Sequence, residues 1–224
     1  MSQNIIILIG PPGGGKGSLS KLCIENLGWI QFSTGNLCRE HIAKQTDIGK
    51  KIDLIIKSGK LISDSLIIDM VDEWLTNNLV SENSIIFDGY PRTLVQVKAL
   101  NDLVNNKFNK TKVFIIRLLA NEQTIVKRIF SRLVCSNNKC QMVYTSNAEY
   151  SLSPKKMNVC DKCGHLLVQR NDDEEKAILE RLSVYKKHEK EMLDYYSQIG
   201  QSVFELDAEQ PIENVFVGFK NLIN

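Results

Sequence analysis

The sequence predicts an α/β fold: a five-stranded parallel sheet of the phosphate-loop type, with helices on both faces and two insertions. Three observations predict it. Short apolar runs rich in Ile, Val and Phe recur at 5–9, 29–32, 84–87, 112–118 and 202–206. Both parities of each run are mostly apolar, as expected of parallel strands covered on both faces. Helix-like stretches alternate with these runs, the rhythm of βα units. The first run leads straight into Gly10-Pro11-Pro12-Gly13-Gly14-Gly15-Lys16-Gly17-Ser18, and a helical stretch follows that loop.

The helical stretches fall at 17–27, at 35–58 in two pieces broken near Gly49, and at 64–79, 93–106, 121–131, 172–199 and 212–223. The long one opens on Asn171-Asp172-Asp173-Glu174, an N-cap with acids over the positive end of the helix dipole. Ile178, Leu182, Tyr185, Met192 and Tyr196 recur below it at helical spacing and read as core packing. Two segments break the rhythm. Residues 33–63 are helical and polar, whereas 132–169 lack helical periodicity and hold a cysteine cluster. The expected division is a core of 1–32, 64–131 and 170–224 with two insertions, 33–63 and 132–169, that can act as lids. Ligands of an open α/β sheet bind beyond the carboxyl ends of its strands, where insertions exclude water from phosphoryl transfer.

The glycine-rich loop lets several N–H groups point at one anion. Gly13, Gly14 and Gly15 supply the bend, Lys16 an ammonium for the outer phosphates, and Ser18 a hydroxyl for magnesium. The generic pattern wants Ser or Thr directly after the lysine; Gly17 intervenes. The loop implies a nucleoside triphosphate.

Composition excludes several classes. The 224 residues carry a net charge of +2, too balanced for nucleic acid as a bulk partner, and 43% are hydrophobic, enough for a sizeable core. No stretch approaches the roughly 20 apolar residues of a membrane span, and no secretory leader is expected at the N-terminus. Of the 28 basic residues only seven are arginine: Arg39, Arg92, Arg117, Arg128, Arg132, Arg170 and Arg181. Lysine serves as the generic cation here, so the arginines are candidates for sites that need a planar fork on phosphate or carboxylate.

Cys23 and Cys38 sit in helical segments as buried or free thiols, while Cys135, Cys140, Cys160 and Cys163 cluster. Two short pairs separated by a loop bring four thiolates to a tetrahedral zinc, and Cys160-Asp161-Lys162-Cys163-Gly164 has the form of a knuckle. A four-cysteine site leaves no open coordination position, so this zinc is expected to be structural, in a reducing cytoplasm. His165 beside the knuckle reads as a solvated histidine, with replacement of one thiol as the alternative.

These fragments together resemble the adenylate kinase family in its long, zinc-containing bacterial form. The resemblance runs from Ile5 to the C-terminal helix. It includes the loop with Gly17, Phe32-Ser33-Thr34-Gly35, Arg39, Phe87-Asp88-Gly89-Tyr90-Pro91-Arg92-Thr93 and Gln96. It continues through Arg128 and Arg132, the cysteine quartet, Val168-Gln169-Arg170-Asn171-Asp172-Asp173 and Arg181.

The resemblance implies a reversible reaction of ATP with AMP giving two ADP, with magnesium on the triphosphate, in a cytoplasmic monomer. It implies that Lys16 and the loop hold the ATP phosphates, that Arg132 and Arg170 clamp the moving phosphoryl group, and that Arg128 lies against the ATP adenine. Gln210, in the loop Asp207-Ala208-Glu209-Gln210-Pro211, joins the ATP side. Thr34, Arg39, Gly89, Arg92, Gln96, Arg170 and Arg181 form the AMP side, with the Gln96 amide reading adenine. Asp88 holds magnesium through water. Asp172 and Asp173 keep two readings, as helix-capping acids and as partners that orient arginines.

Related pyrimidine monophosphate kinases usually have an alanine and an asparagine where this chain has Thr34 and Thr93. Other departures from the family pattern are Ser131 and Leu133 flanking Arg132, Asn36 in place of an aspartate, the wide Cys135–Cys140 spacing, and Thr145 in place of a histidine.

Overall fold

Each apolar run becomes a strand of one parallel sheet. The computed structural model describes residues 4–57, 60–78, 83–107, 111–137, 140–147, 152–170 and 173–223. In chain order the elements are β1 (Asn4–Ile9), α1 (Lys16–Leu27), β2 (Ile30–Ser33), α2 (Thr34–Ala43), α3 (Asp47–Lys57), α4 (Asp64–Asn78), β3 (Ile85–Asp88) and α5 (Leu94–Lys107). There follow β4 (Lys112–Leu119), α6 (Glu122–Phe130), β5 (Arg132–Cys135), β6 (Val143–Thr145), β7 (Leu167–Val168), α7 (Glu175–Gln198), β8 (Val203–Asp207) and α8 (Ile212–Ile223).

The main sheet runs β2-β3-β1-β4-β8, all parallel, with Ile7 of β1 opposite Phe87 of β3 on one side and Ile115 of β4 on the other. Strand alternation explains why both parities are apolar. Ile5, Ile7, Ile9, Phe87 and Ile115 face α4, α5 and α7 through Val71, Leu75, Val97, Leu100, Met192 and Tyr196. Ile6, Leu8, Ile86, Ile116 and Leu118 face α1 and α8 through Leu19, Cys23, Val215, Phe216 and Phe219. Each face is covered by helices, so neither has a polar parity. A smaller cluster joins Ile125 and Ile129 of α6 to Ile178 and Leu182 of α7, so the expected stripe on α7 serves two clusters in succession.

The second sheet, β6-β5-β7, is antiparallel and carries the cysteines. Its strands are two to four residues long, too short to show a period in the sequence. Its buried cluster is Cys135, Tyr144, Cys160 and Leu167, and Thr145 is buried beside them in β6.

Two expected element boundaries differ. The break between α2 and α3 lies at 44–46 rather than at Gly49, which sits inside α3. Gly49 is required by close approach: a Cβ there would lie 2.1 Å from the carbonyl oxygen of His41. The glycine therefore packs two helices together instead of ending one. The long helix starts at Glu175, and its N-cap residue Glu174 makes no side-chain cap bond. Asn171 and Asp172, expected in that cap, lie outside the described residues. Asp173 is turned to a different task, described below.

Candidate active site

Every strand of the main sheet ends on the same edge, and the candidate residues collect there. The loop after β1 reverses through a Gly14 N–H to Pro11 carbonyl bond of 3.0 Å, with Gly13 and Gly15 at positive φ of 78° and 93°. Gly15 is the N-cap of α1 and offers no side chain to its first N–H groups. Free N–H groups at the positive end of a helix dipole make an anion site. Lys16 curls back over the loop, donating to the carbonyls of Gly10 at 2.6 Å and Pro11 at 2.8 Å.

Burial pushes the Lys16 ammonium down to about 8; the Asp88 carboxylate pulls it back up, while the guanidiniums of Arg92, Arg181 and Arg132 push it down further. A lysine that feels this carboxylate and these three arginines stands in one electrostatic neighbourhood with them. Positive charge outweighs negative in this neighbourhood, which favours added anions such as phosphate oxygens.

Gly17 has a local reason. A Cβ on it would come within 3.3 Å of Asp88 Oδ2, so the residue that breaks the generic loop pattern leaves room for the carboxylate at the end of β3. That carboxylate is held by Gln31 Nε2 at 3.2 Å, from the neighbouring strand β2. Ser18 lies in the first turn of α1, partly exposed beside the loop.

Of the residues expected on the acceptor side, Thr34, Gly89, Arg92 and Gln96 are joined by hydrogen bonds. The Gly89 carbonyl accepts from Thr34 Oγ1 at 3.1 Å and from Arg92 Nε at 2.8 Å. Gln96 is 2% exposed, and its amide is engaged at both ends: Oε1 accepts from the Arg92 N–H at 2.8 Å and Nε2 donates to Asp64 Oδ1 at 2.8 Å. Arg39 donates through Nε to Gln141 Oε1 at 3.1 Å and through its other arm to Asn36. Asn36 thus acts as an acceptor for Arg39 where an aspartate was the expected type.

Asp173 draws two arginines together. Arg132 Nε donates to its Oδ2 at 2.8 Å and Arg132 Nη2 to its Oδ1, while Arg181 Nη1 stands 3.5 Å from Oδ1. Of the two readings for the acidic pair, Asp173 takes the arginine-orienting one. Its own N–H bonds the Arg170 carbonyl at 3.1 Å, which ties that partly buried arginine to the same turn. Arg128 donates to the Ala208 carbonyl at 2.7 Å, joining α6 to the loop after β8; Gln210, exposed in that loop, donates to Asp207 at 3.2 Å.

The four clustered sulfurs lie within 4.8 Å of one another, with Cys135–Cys163 at 3.3 Å and Cys140–Cys160 at 3.8 Å. A tetrahedral ion with metal–sulfur bonds of about 2.3 Å needs sulfurs about 3.8 Å apart, so this set fits zinc. The His165 N–H donated to its sulfur draws the Cys163 thiol down to about 6, and burial raises Cys135 to about 12. Tyr144 supports the knuckle, its hydroxyl 3.6 Å from Cys160 Sγ and accepting from the Asp161 N–H at 2.9 Å. The His165 ring lies against the Cys163 carbonyl at 3.1 Å and is outside the four-sulfur set. Thr145 and Ser131, two of the departures from the family pattern, bond each other at 2.9 Å and brace the base of this sheet.

Sequence reasoning missed Gln31, Asp64 and Gln141. None carries a motif signal. Each is recognised only by what it touches 29 to 102 residues away.

A glycine-rich loop with a folded-back lysine, facing a carboxylate and an arginine set at the carboxyl edge of a parallel sheet, defines a phosphoryl-transfer enzyme. The adenylate kinase family model matches residues 8–201. An adenylate kinase of Archaeoglobus fulgidus is 39% identical over 211 residues, covering 94% of each chain. One of Fervidobacterium nodosum is 37% identical over 218 residues, covering 97% of this chain and 96% of its own. One of Chlamydia trachomatis is 33% identical over 227 residues, covering 96% and 88%. The chain belongs to the adenylate kinase family. It is a nucleoside monophosphate kinase, moving a phosphoryl group between ATP and AMP. No described helix is long and apolar enough to cross a membrane.

Proposed function

We propose that this transfer runs through the residues gathered at the carboxyl edge of the sheet, with ATP on the loop and AMP on the α2, β3 and α5 side. The observation that carries the reading is geometric: Lys16 folds over the glycine-rich loop, the Asp88 carboxylate abuts Gly17 of that loop, and Arg92 is bound to the Gly89 carbonyl next to Asp88. Phosphoryl transfer asks a protein to position two anions and neutralise charge on the moving group, and little else. The N–H groups of Gly13 to Ser18 and the Lys16 ammonium hold the ATP phosphates. Arg132 and Arg170 meet the transferring group, and Arg39, Arg92 and Arg181 hold the AMP phosphate. Thr34, Gly89 and Gln96 line the acceptor base, while Arg128, with the loop at Gln210, lines the ATP adenine. No general base is required, because the acceptor phosphate is already ionised near neutral pH.

Asp88, steadied by Gln31, and Ser18 would hold magnesium, Asp88 through water, and the ion would supply positive charge against the phosphates. The four cysteines suit a structural zinc, with all sulfur ligands and no open position. Residues 132–169 serve as a lid and 33–63 as the AMP-binding insertion. Two contacts support that reading: Arg39 of α2 reaches Gln141, and Lys162 of the knuckle pairs with Glu25 of α1 at 3.1 Å. The clustered thiols support a reducing, cytoplasmic setting, and the enzyme is read as a monomer that binds neither nucleic acid nor membrane.

A coupled assay for ADP formation from ATP, with AMP, UMP, CMP and GMP offered separately, tests the acceptor assignment. Strong preference for AMP is the expected result. Comparable turnover with UMP or CMP would reassign the acceptor site.

A further inference from the structure

We propose that Asp64 is a specificity-positioning residue: it locks the Gln96 amide in the one orientation that reads a 6-amino purine and refuses a 6-oxo purine. The inference rests on the reading of Gln96 as the residue that meets the acceptor base.

The partners of Gln96 dictate which end of the amide is oxygen. The Arg92 N–H can only donate, and it lies 2.8 Å from Oε1. The Asp64 carboxylate accepts, and it lies 2.8 Å from Nε2. Turning the amide by half a rotation would set NH2 against N–H and oxygen against carboxylate, two repulsive contacts in a side chain that is 2% exposed. Asp64 Oδ1 is itself held, accepting from Thr93 Oγ1 at 2.9 Å, and Thr93 Oγ1 in turn accepts from the Gln96 N–H at 3.2 Å. The lock is a closed ring of bonds through Asp64, Thr93, Arg92 and Gln96.

With those bonds made, the amide keeps one N–H and one oxygen lone pair. Adenine presents N1 as an acceptor and its 6-amino group as a donor, which matches Nε2 and Oε1 as they stand. Hypoxanthine and guanine present N1–H as a donor and O6 as an acceptor, the reverse order. Reading them requires the amide to turn, and the ring of bonds opposes that turn. Selectivity between the two purine classes then comes from the second layer, by repulsion built against the wrong base.

The test compares kcat/KM for AMP and IMP at saturating ATP in the wild type and three variants. Asp64→Asn keeps a carbonyl oxygen where Oδ1 stands; Asp64→Ala keeps none. Both remove the same charge from the first turn of α4, so the comparison isolates the acceptor. The AMP-to-IMP ratio is expected to fall about tenfold or more in Asp64→Ala and to stay within about threefold in Asp64→Asn, with the KM for ATP little changed. A merely structural role would lower AMP and IMP use together and leave the ratio alone. An unchanged ratio in Asp64→Ala, or an equal fall in both variants, overturns the lock. Gln96→Ala separates the layers. If it leaves the ratio intact, the base-reading role of Gln96 fails and the lock with it. If it collapses the ratio while Asp64→Ala does not, only the lock fails. Should Asp64→Ala not fold, Thr93→Val removes the hydroxyl that shares Oδ1, and the ratio is expected to fall in the same direction; an unchanged ratio there counts against the lock.

Discussion

Arg132 and Asp173, 41 residues apart, meet two-pronged: Nε donates to Oδ2 at 2.8 Å and Nη2 to Oδ1. Asp173 is 6% exposed and Arg132 12%, so this pair is shielded from salt and water. A planar fork held this way cannot swing freely, which fits an arginine that must present one edge to a moving phosphoryl group.

Asp173→Ala is therefore expected to damage rate and stability together. It strands Arg132 and Arg181, at a cost of about 2–3 kcal/mol, below the fully buried range because Arg181 remains 22% exposed. The rate should fall by about one to two orders of magnitude in protein that is still folded at the assay temperature. Stopped-flow turnover alongside thermal melts checks both. Full turnover in the folded variant would remove Asp173 from the positioning of Arg132.

Lys16 carries a pH prediction. Its ammonium is held at about 8 in the free chain, and triphosphate oxygens favour the charged form, so ATP raises it. Affinity is then fully present below about 8 and declines as pH rises from there through the raised value. At pH about 8.5, above the phosphate ionisations, ATP binding should take up a proton. Calorimetry in buffers of different ionisation heat measures that uptake. Lys16→Met should abolish it and cut turnover by about a thousandfold while leaving the fold intact. Equal uptake in Lys16→Met would assign the proton to another group.

Gly49→Ala tests the close approach of α2 and α3. The added methyl has no room beside the His41 carbonyl at 2.1 Å, so the helices must part. A loss of about 1–3 kcal/mol is expected, together with weaker AMP binding through the displacement of Arg39 on α2. Wild-type denaturant midpoints would show that the contact relaxes without cost.

Metal analysis of protein purified without added metal is expected to give about one zinc per chain, because four gathered thiols hold a structural ion tightly at neutral pH. Cys160→Ser should lower the melting temperature, chiefly through the small sheet, and leave activity at moderate temperature. Full stability in a metal-free chain would refute the site, and a rate that tracks zinc at constant folding would give the ion a part in catalysis.

A ligand with two adenosines joined by five phosphates should span both nucleotide sites and bind far more tightly than ATP or AMP, since linking removes the cost of a second association. Competition against both substrates at one molecule per chain is the expected outcome. Competition with ATP alone would leave a single nucleotide site.

What the sequence made legible was local. Gly10 to Ser18, the Asp88-to-Arg92 run and the knuckle at Cys160 each keep their chemistry within a few residues, and their glycines and prolines mark them. The strands could be read because helices cover both faces, which leaves Ile5 to Ile9 apolar at every position. What stayed hidden was made by distance in the chain. Asp64 reaches Gln96 across 32 residues and Arg39 reaches Gln141 across 102, and neither contact leaves a pattern. Gly49 misled because a glycine kept for close packing looks in sequence like one that ends a helix. Asp173 sits where a cap belongs, and only its two guanidinium partners distinguish it from one.

Strand β5 is four residues long, with Arg132 at one end and Cys135 at the other. At about 3.3 Å per residue the two lie roughly 10 Å apart on one extended, hydrogen-bonded segment. That makes the strand a short lever between the sulfur cluster and Arg132, the arginine proposed to meet the transferring phosphoryl group. An ion that absorbs visible light, such as cobalt(II), placed among the thiolates would turn the cluster into an optical gauge. A shift in its spectrum on nucleotide binding would report the movement of Arg132 without any label on the chain.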